Sequence, residues 1–470
     1  MPRLSELIAS LPLPSRSVAE RAHLVAFDKQ STRFSFLRAF LWLGFAWATA
    51  YDANCQEEGG RPGRPVEDNP VAALFAEVGR GETTLRYDRH FGYLKSLLAA
   101  WDIPVSSQSL VYAKTSLQAG RISPSNPRAI YFNDDVYVAW VRGSSLLEVA
   151  TTDPEDGAAF YSVQMQPSRP VVRREGNRCL ACHDLTMTQG VPGHLVRSVM
   201  TRSSGVINSL TRSYVTDHAS PFSERWGGWY VTGTLGGMKH MGNAFLKDEE
   251  LVPFGAADRS DLSADIDPEG WLSLHSDVVA LMVLEHQTQM HNLLVRNNRT
   301  VREALQADAG SAMPDPVLGP EQGAGRSGAE QTNSEAQKIV REAAREILHY
   351  ALFSKEALLD QPIVGSSSFA ADFASRGPWD SQGRSLREFD LQRRLFRYPC
   401  SYVIHSAAFE RLHPALRESV LSQLFNALGT SQNKGLAAHL DPQQRQAIRE
   451  IIQATVADLP AVWHADDEET

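Results

Sequence analysis

Cys179, Cys182 and His183 stand in the run Asn177-Arg178-Cys179-Leu180-Ala181-Cys182-His183-Asp184. Cys-x-x-Cys-His is the covalent attachment signature of a c-type haem. Two thiols three residues apart reach the two vinyl groups of one porphyrin as thioethers, and the adjacent His is carried beneath the iron as its proximal ligand. Chance is a weak competitor: with 4 Cys and 14 His in 470 residues, random placement gives ~0.001 such matches. Two rivals remain, a thioredoxin-like dithiol and half of a zinc site. The dithiol leaves His183 unexplained. A zinc site needs a second ligand pair, and the chain has no second Cys-x-x-Cys. The expected cofactor is one covalent haem c, held by Cys179 and Cys182, with His183 on the iron.

Other residues are candidates for the remainder of a haem pocket. Asp217-His218 is followed by Arg225-Trp226-Gly227-Gly228-Trp229-Tyr230-Val231-Thr232-Gly233 and by Gly236-Gly237-Met238-Lys239-His240-Met241-Gly242-Asn243. Glycines beside aromatic residues let backbone lie close to a flat group, so Trp226, Trp229 and Tyr230 are a candidate pocket wall. A tightly turned loop with core aromatics would look the same. His240 is the first candidate for a distal iron ligand and His286 the second. Met282, His286 and Met290 recur at helical spacing, a stripe that equally suits a buried core face. His286 and His291 are five apart, too far round a helix for a His-Glu-x-x-His zinc pair. Arg173, Arg174 and Arg178 precede Cys179 and suit either haem propionates or plain solvent exposure. In a catalytic site, Arg225, Trp226 or Tyr230 would be placed to polarise a bound oxygen species.

The elements that must position these residues are legible in outline. Residues 71–101 have helical spacing around Leu94, Leu97 and Leu98. Ala129–Phe132 and Val136–Val141 flank Asn133-Asp134-Asp135 as a hairpin, and Leu146–Thr151 and Ala158–Gln164 continue an antiparallel meander into the haem segment. Helices are predicted over 271–307, capped at His275-Ser276-Asp277, from Ser334 to about Leu352, and over 415–428 and 442–456. The predicted class is α+β: a small antiparallel sheet before the haem motif and a mostly helical remainder. The segments read as 1–50, an export signal or anchor; 51–70, a flexible leader; and 71–308, the haem-binding region. Beyond them come 309–333, a flexible insertion; 334–460, a helical region; and 461–470, an acidic tail. A boundary between a haem half and a helical half is expected near 250–335.

Lys plus Arg number 46 against 55 Asp plus Glu, a net charge of −9. With no basic block, nucleic acid is not an expected partner, and a membrane is expected only through an uncleaved N-terminal segment. Ala39–Ala50 is apolar, follows Arg33 and Arg38 and ends in Ala-x-Ala. It is short for a membrane span but suits a signal-peptide core, although about 38 residues precede it; an uncleaved anchor or a buried helix also fits. Because c-type haem is attached outside the cytoplasm, a periplasmic location is expected. Cys55 and Cys400 suit a disulfide or two inert thiols.

At its motif the chain resembles c-type cytochromes, over five residues. Across 110–460 it resembles large single-haem bacterial proteins described as cytochrome c domain-containing. In those, Cys-x-x-Cys-His is followed by Gly-Val-Pro-Gly, Arg-Trp-Gly-Gly-Trp-Tyr-Val-Thr-Gly and His-x-Gly-Asn, here Gly190–Gly193, Arg225–Gly233 and His240–Asn243. Arg384–Phe409, around Arg-Leu-Phe-Arg-Tyr-Pro-Cys-Ser-Tyr, is a further similar piece. The resemblance implies a haem protein without fixing its activity. Electron transfer with a redox partner protein is the leading expectation. A peroxidase- or oxygenase-like enzyme acting on a small oxidant or substrate, and a haem-based sensor, are the alternatives.

Overall fold

The computed structural model describes residues 69–248, 250–256, 258–311, 326–429 and 435–464. The proposed signal or anchor at 39–50, Cys55, and the acidic tail from 465 onward lie outside the described residues.

The chain begins with α1 (Pro70–Arg80) and α2 (Leu94–Ala100). The helical spacing read over 71–101 resolves into these two helices, with 81–93 between them not helical. Asn69 caps α1, its side chain accepting from the Val71 and Ala72 amides, and Gly81 stops it in the left-handed conformation. Six antiparallel strands follow in sequence order: β1 (Ser109–Val111), β2 (Arg128–Phe132), β3 (Val136–Val141), β4 (Leu146–Asp153), β5 (Gly157–Gln166) and β6 (Arg169–Glu175). The Asn133 side chain accepts from the amides of Asp135 and Val136, which closes the predicted hairpin turn. β6 has little β-propensity, with four charged residues in Arg169-Pro170-Val171-Val172-Arg173-Arg174-Glu175. It survives as an edge strand, where a proline at the start costs no ladder bond.

Register sorts the sheet into two faces. On one lie Tyr131, Val138, Trp140, Val149, Tyr161 and Val163, packed in one core with Val71 from α1 and Leu94, Leu97 and Trp101 from α2 and its C-cap. On the other, Phe132, Tyr137, Ala150, Phe160 and Glu175 pair across successive strands. This second face looks toward the Cys179–His183 segment, where Phe160 packs on the His183 ring.

The motif forms the short helix α3 (Asn177–His183), directly after β6. Two small antiparallel pairs follow, β7 (Arg197–Val199) with β8 (Ser213–Val215), and β9 (Ala244–Lys247) with β10 (Glu250–Pro253). Helix then dominates: α4 (Val278–Ser311), α5 (Arg326–Ala351), α6 (Phe369–Ala374), α7 (Ala407–Glu410), α8 (Pro414–Gly429) and α9 (Pro442–Thr455). The architecture is α+β. The expected cap of α4 forms at Asp277, whose carboxylate accepts from the Val279 amide at 2.8 Å and also receives the Ser367 amide and hydroxyl. Residues 271–277 are not helical.

Part of the segment expected to be a flexible insertion is helix. α4 runs to Ser311 and α5 starts at Arg326, with 312–325 outside the described residues. Apolar periodicity reports packing rather than helicity, and the Ala, Glu and Gln at these helix ends extend a helix without it. One large core joins Val111, Phe132 and Tyr137 to α4, α5, α8, α9 and Trp463. The sheet side and the helical side thus share it across the boundary expected near 250–335. Among the described residues no helix is long and apolar enough to cross a membrane.

Candidate haem-attachment site

α3 buries none of its residues. Cys179 is half-buried, Cys182 is exposed, and both are free thiols. At i and i+3 they share one side of the helix, which lets two thiols reach one group. Burial, with Glu175 and Glu148 adding, pushes the Cys179 thiol up to about 11. A redox-active dithiol needs the opposite shift.

His183 closes α3 and is fixed by one residue. The Gly193 amide donates to the His183 carbonyl at 2.8 Å, and the His183 ring bonds the Gly193 carbonyl through Nδ1 at 2.9 Å. A carbonyl oxygen only accepts, so Nδ1 carries the proton and Nε2 keeps its lone pair. That is the tautomer an iron-ligating imidazole needs, with its second nitrogen tied to an acceptor. Burial holds the ring below the usual histidine range, the Gly193 bond opposing it. Phe160, from the sheet face described above, packs on the imidazole with 4.6 Å between ring centres.

The loop returning to Gly193 is anchored at several points. Buried Thr188 donates its hydroxyl to the Val191 carbonyl at 2.8 Å, and the Ala158 amide on β5 donates to the Pro192 carbonyl at 2.7 Å. Asn292 of α4 accepts from the His194 amide and donates to the His194 carbonyl, both at 2.8 Å. Gly193 is required here: a Cβ would lie 2.4 Å from the Asn292 Oδ1. The His194 ring bonds Thr152 at 2.7 Å. Thr152 bonds His291 at 3.1 Å, which bonds Tyr137 at 3.0 Å. Burial holds His194 well below the usual histidine range and takes His291 down to about 4, so both are neutral.

The donor set fits a covalent haem. One half-buried and one exposed thiol share a short helix with an imidazole whose free nitrogen is defined by its other bond. The Arg128 Nε and Gln118 Oε1 are buried without partners. Both side chains bond Glu148, whose charge reaches Cys179 and His183. Of the three candidate arginines, Arg173 shares the sheet face of Phe160, Arg174 points to the other face, and Arg178 pairs with Glu175 at 3.6 Å. Among the described residues no group of three or more His, Cys, Asp or Glu side chains converges as a metal cage. A haem requires none, because the porphyrin supplies four nitrogens.

The other predicted site residues are engaged elsewhere. His240 packs edge-on against Trp226, and its Nδ1 accepts from the Gly242 amide at 3.0 Å. His286 is completely buried with both ring nitrogens bonded, Nδ1 to His218 and Nε2 to Ser401, each at 2.8 Å. It stacks on Tyr350 and Phe353 as part of the core stripe. Trp226, Trp229 and Tyr230 are 0%, 4% and 1% exposed. Trp229 donates to the Arg197 carbonyl and Tyr230 to the Pro124 carbonyl. The glycines between the tryptophans face protein: a Cβ on Gly227 would lie 2.6 Å from the Val199 carbonyl, and Gly228 has φ +83° against Ala113. Among the described residues no hydrogen bond or ring contact joins His240, His286 or these aromatics to Cys179, Cys182 or His183.

Phe160, Gly193, His194 and Asn292 are the site residues that sequence reasoning missed. The only signal lay in the Gly190–Gly193 run after the motif, which carries Gly193 and leads into His194. Cys400 is buried and its thiol is pushed up to about 12 by that burial. No protein-family model, curated protein or solved structure matches this chain.

Proposed function

We propose that the chain is an exported c-type haem protein with one haem, attached through Cys179 and Cys182 and acting in electron transfer. The observation that carries this reading is the bond from His183 Nδ1 to Gly193, which leaves Nε2 as the free donor nitrogen on the same short helix as the half-buried Cys179 and exposed Cys182 thiols. When bound, the haem supplies reversible one-electron exchange at its iron. Cys179 and Cys182 would hold the group through two thioethers, and His183 would offer its Nε2 lone pair to the iron. The Gly193 carbonyl keeps the proton on Nδ1 and strengthens the imidazole as a donor. Phe160 restricts the ring's rotation. Cys182 is exposed, so a group attached there would be reachable from the surface, which suits exchange with a partner protein. Arg173 is a partner for a propionate. The periplasm follows from the site of haem attachment.

A second reading, a haem enzyme or sensor with an open distal position, is favoured by one observation. His286 has both nitrogens bonded in the core, and His240 lies against Trp226. The visible spectrum of the haem-loaded protein, with and without carbon monoxide, separates the two. A low-spin spectrum indifferent to carbon monoxide supports electron transfer. A high-spin ferric band with prompt carbon monoxide binding supports the second reading.

A further inference from the structure

We infer that Asn292 is a positioning residue for the proximal histidine: it clamps the Gly193–His194 peptide and so fixes the carbonyl that holds the proton of His183. The inference rests on the haem reading above. Asn292 is 1% exposed and comes from α4, 98 positions beyond the His194 it holds. Its amide makes two bonds to one residue, the His194 amide to Oδ1 and Nδ2 to the His194 carbonyl, each at 2.8 Å. Such a pair fixes both the position and the tilt of the backbone. The peptide so held adjoins Gly193, whose carbonyl accepts from His183 Nδ1. Gly193 approaches Asn292 so closely that any Cβ would strike the side-chain amide. Thr152 holds the His194 ring from the sheet side. The acceptor of His183 is therefore clamped between α4 and β4 rather than left on a free loop.

A strong acceptor on Nδ1 makes the imidazole a better donor and favours ferric iron. Loosening the clamp weakens that acceptor. Asn292→Ala should keep one covalent haem yet shift the ferric/ferrous equilibrium toward ferrous by about tenfold, which is ~59 mV for one electron.

Asn298 provides the control. On the same helix and fully buried, it clamps other loops, accepting from the His413 amide and donating to the Pro154 carbonyl. Asn298→Ala should lower stability while leaving the potential in place. Gly193→Ala, which keeps Asn292 but pushes its amide away, should shift the potential in the same direction. The double variant Gly193→Ala/Asn292→Ala should shift it no further than either single one, because the two act on one contact. Redox titration of the haem-loaded variants reads all four, and Gly193→Ala carries the test if Asn292→Ala does not fold. An unchanged potential in Asn292→Ala or Gly193→Ala, or an equal shift in Asn298→Ala, overturns the inference. A wild-type chain carrying no haem by mass removes the underlying reading, a separate failure visible before any titration, and this inference with it.

Discussion

The helix bearing Cys179, Cys182 and His183 has no fully buried residue, while Arg225–Val231, the segment richest in Trp and Gly, is buried throughout. The first has free thiols, an imidazole with one nitrogen unspent, and unpartnered polar atoms near it. In the second, two of the three aromatic side chains have hydrogen-bond partners, and its glycines make room for neighbouring protein. A segment prepared for an external group keeps bonding capacity in reserve; a segment that builds a core uses it. By that criterion the reserve lies at α3.

Substitution should separate the two regions sharply. Replacing Cys179 and Cys182 together by Ala should abolish covalent haem completely, yet move the stability of the haem-free chain by only ~0.5 kcal/mol, since α3 contributes no core. Trp226→Ala should do the reverse, costing about 3–5 kcal/mol in urea unfolding while haem stays attached to whatever chain folds. If the cysteine pair proves the more destabilising in the haem-free state, the contrast fails.

His183→Ala is expected to retain haem through its thioethers but lose the proximal ligand, which the visible spectrum reports directly. His286→Ala should act on stability instead. It strips the His218 Nδ1 of its His286 partner and the Ser401 hydroxyl of one of its two bonds, costing about 1–3 kcal/mol for a buried polar group left unsatisfied, and the haem spectrum should match wild type. A changed spin state in that variant would return His286 to the iron. His240→Ala is tested the same way, and an unchanged spectrum removes it as a ligand.

The buried histidines also set a pH dependence. Burial holds His218 well below the usual range and His286 down to about 3, with His194 and His291 also lowered. The unfolded chain binds protons at these positions below about 6.5 and the fold does not. Their contribution is thus complete above that pH and is lost as pH falls toward about 3. Glu285, pushed up to about 7 by burial, works oppositely: its contribution is present below about 4.5 and is lost as pH rises through 7. Stability should therefore fall most steeply below about pH 4.5, where Glu285 no longer offsets the histidines. Melting temperatures that stay level from pH 6.5 to 3 would contradict this.

Sequence made the sheet and the Cys-x-x-Cys-His pattern legible because both are local. Asn133-Asp134-Asp135 closes its hairpin by side-chain bonds within three residues, and Cys179, Cys182 and His183 are adjacent by chemistry. β6 escaped notice because an edge strand tolerates Arg and Pro that propensity counts against. Asn292 and Phe160 were invisible because their role comes from register and long-range packing, which bring α4 and β5 to one loop. The Trp-Gly segment is ambiguous at the level of sequence: glycine beside tryptophan permits close approach, and only tertiary structure shows that the approaching surface is Val199 and Ala113.

The most direct test is the mass of the tryptic peptide Cys179–Arg197 from protein produced in a host that attaches c-type haem. The account predicts this peptide heavier by one haem, with both cysteines blocked to alkylation. A peptide of unmodified mass with two alkylatable thiols would contradict it.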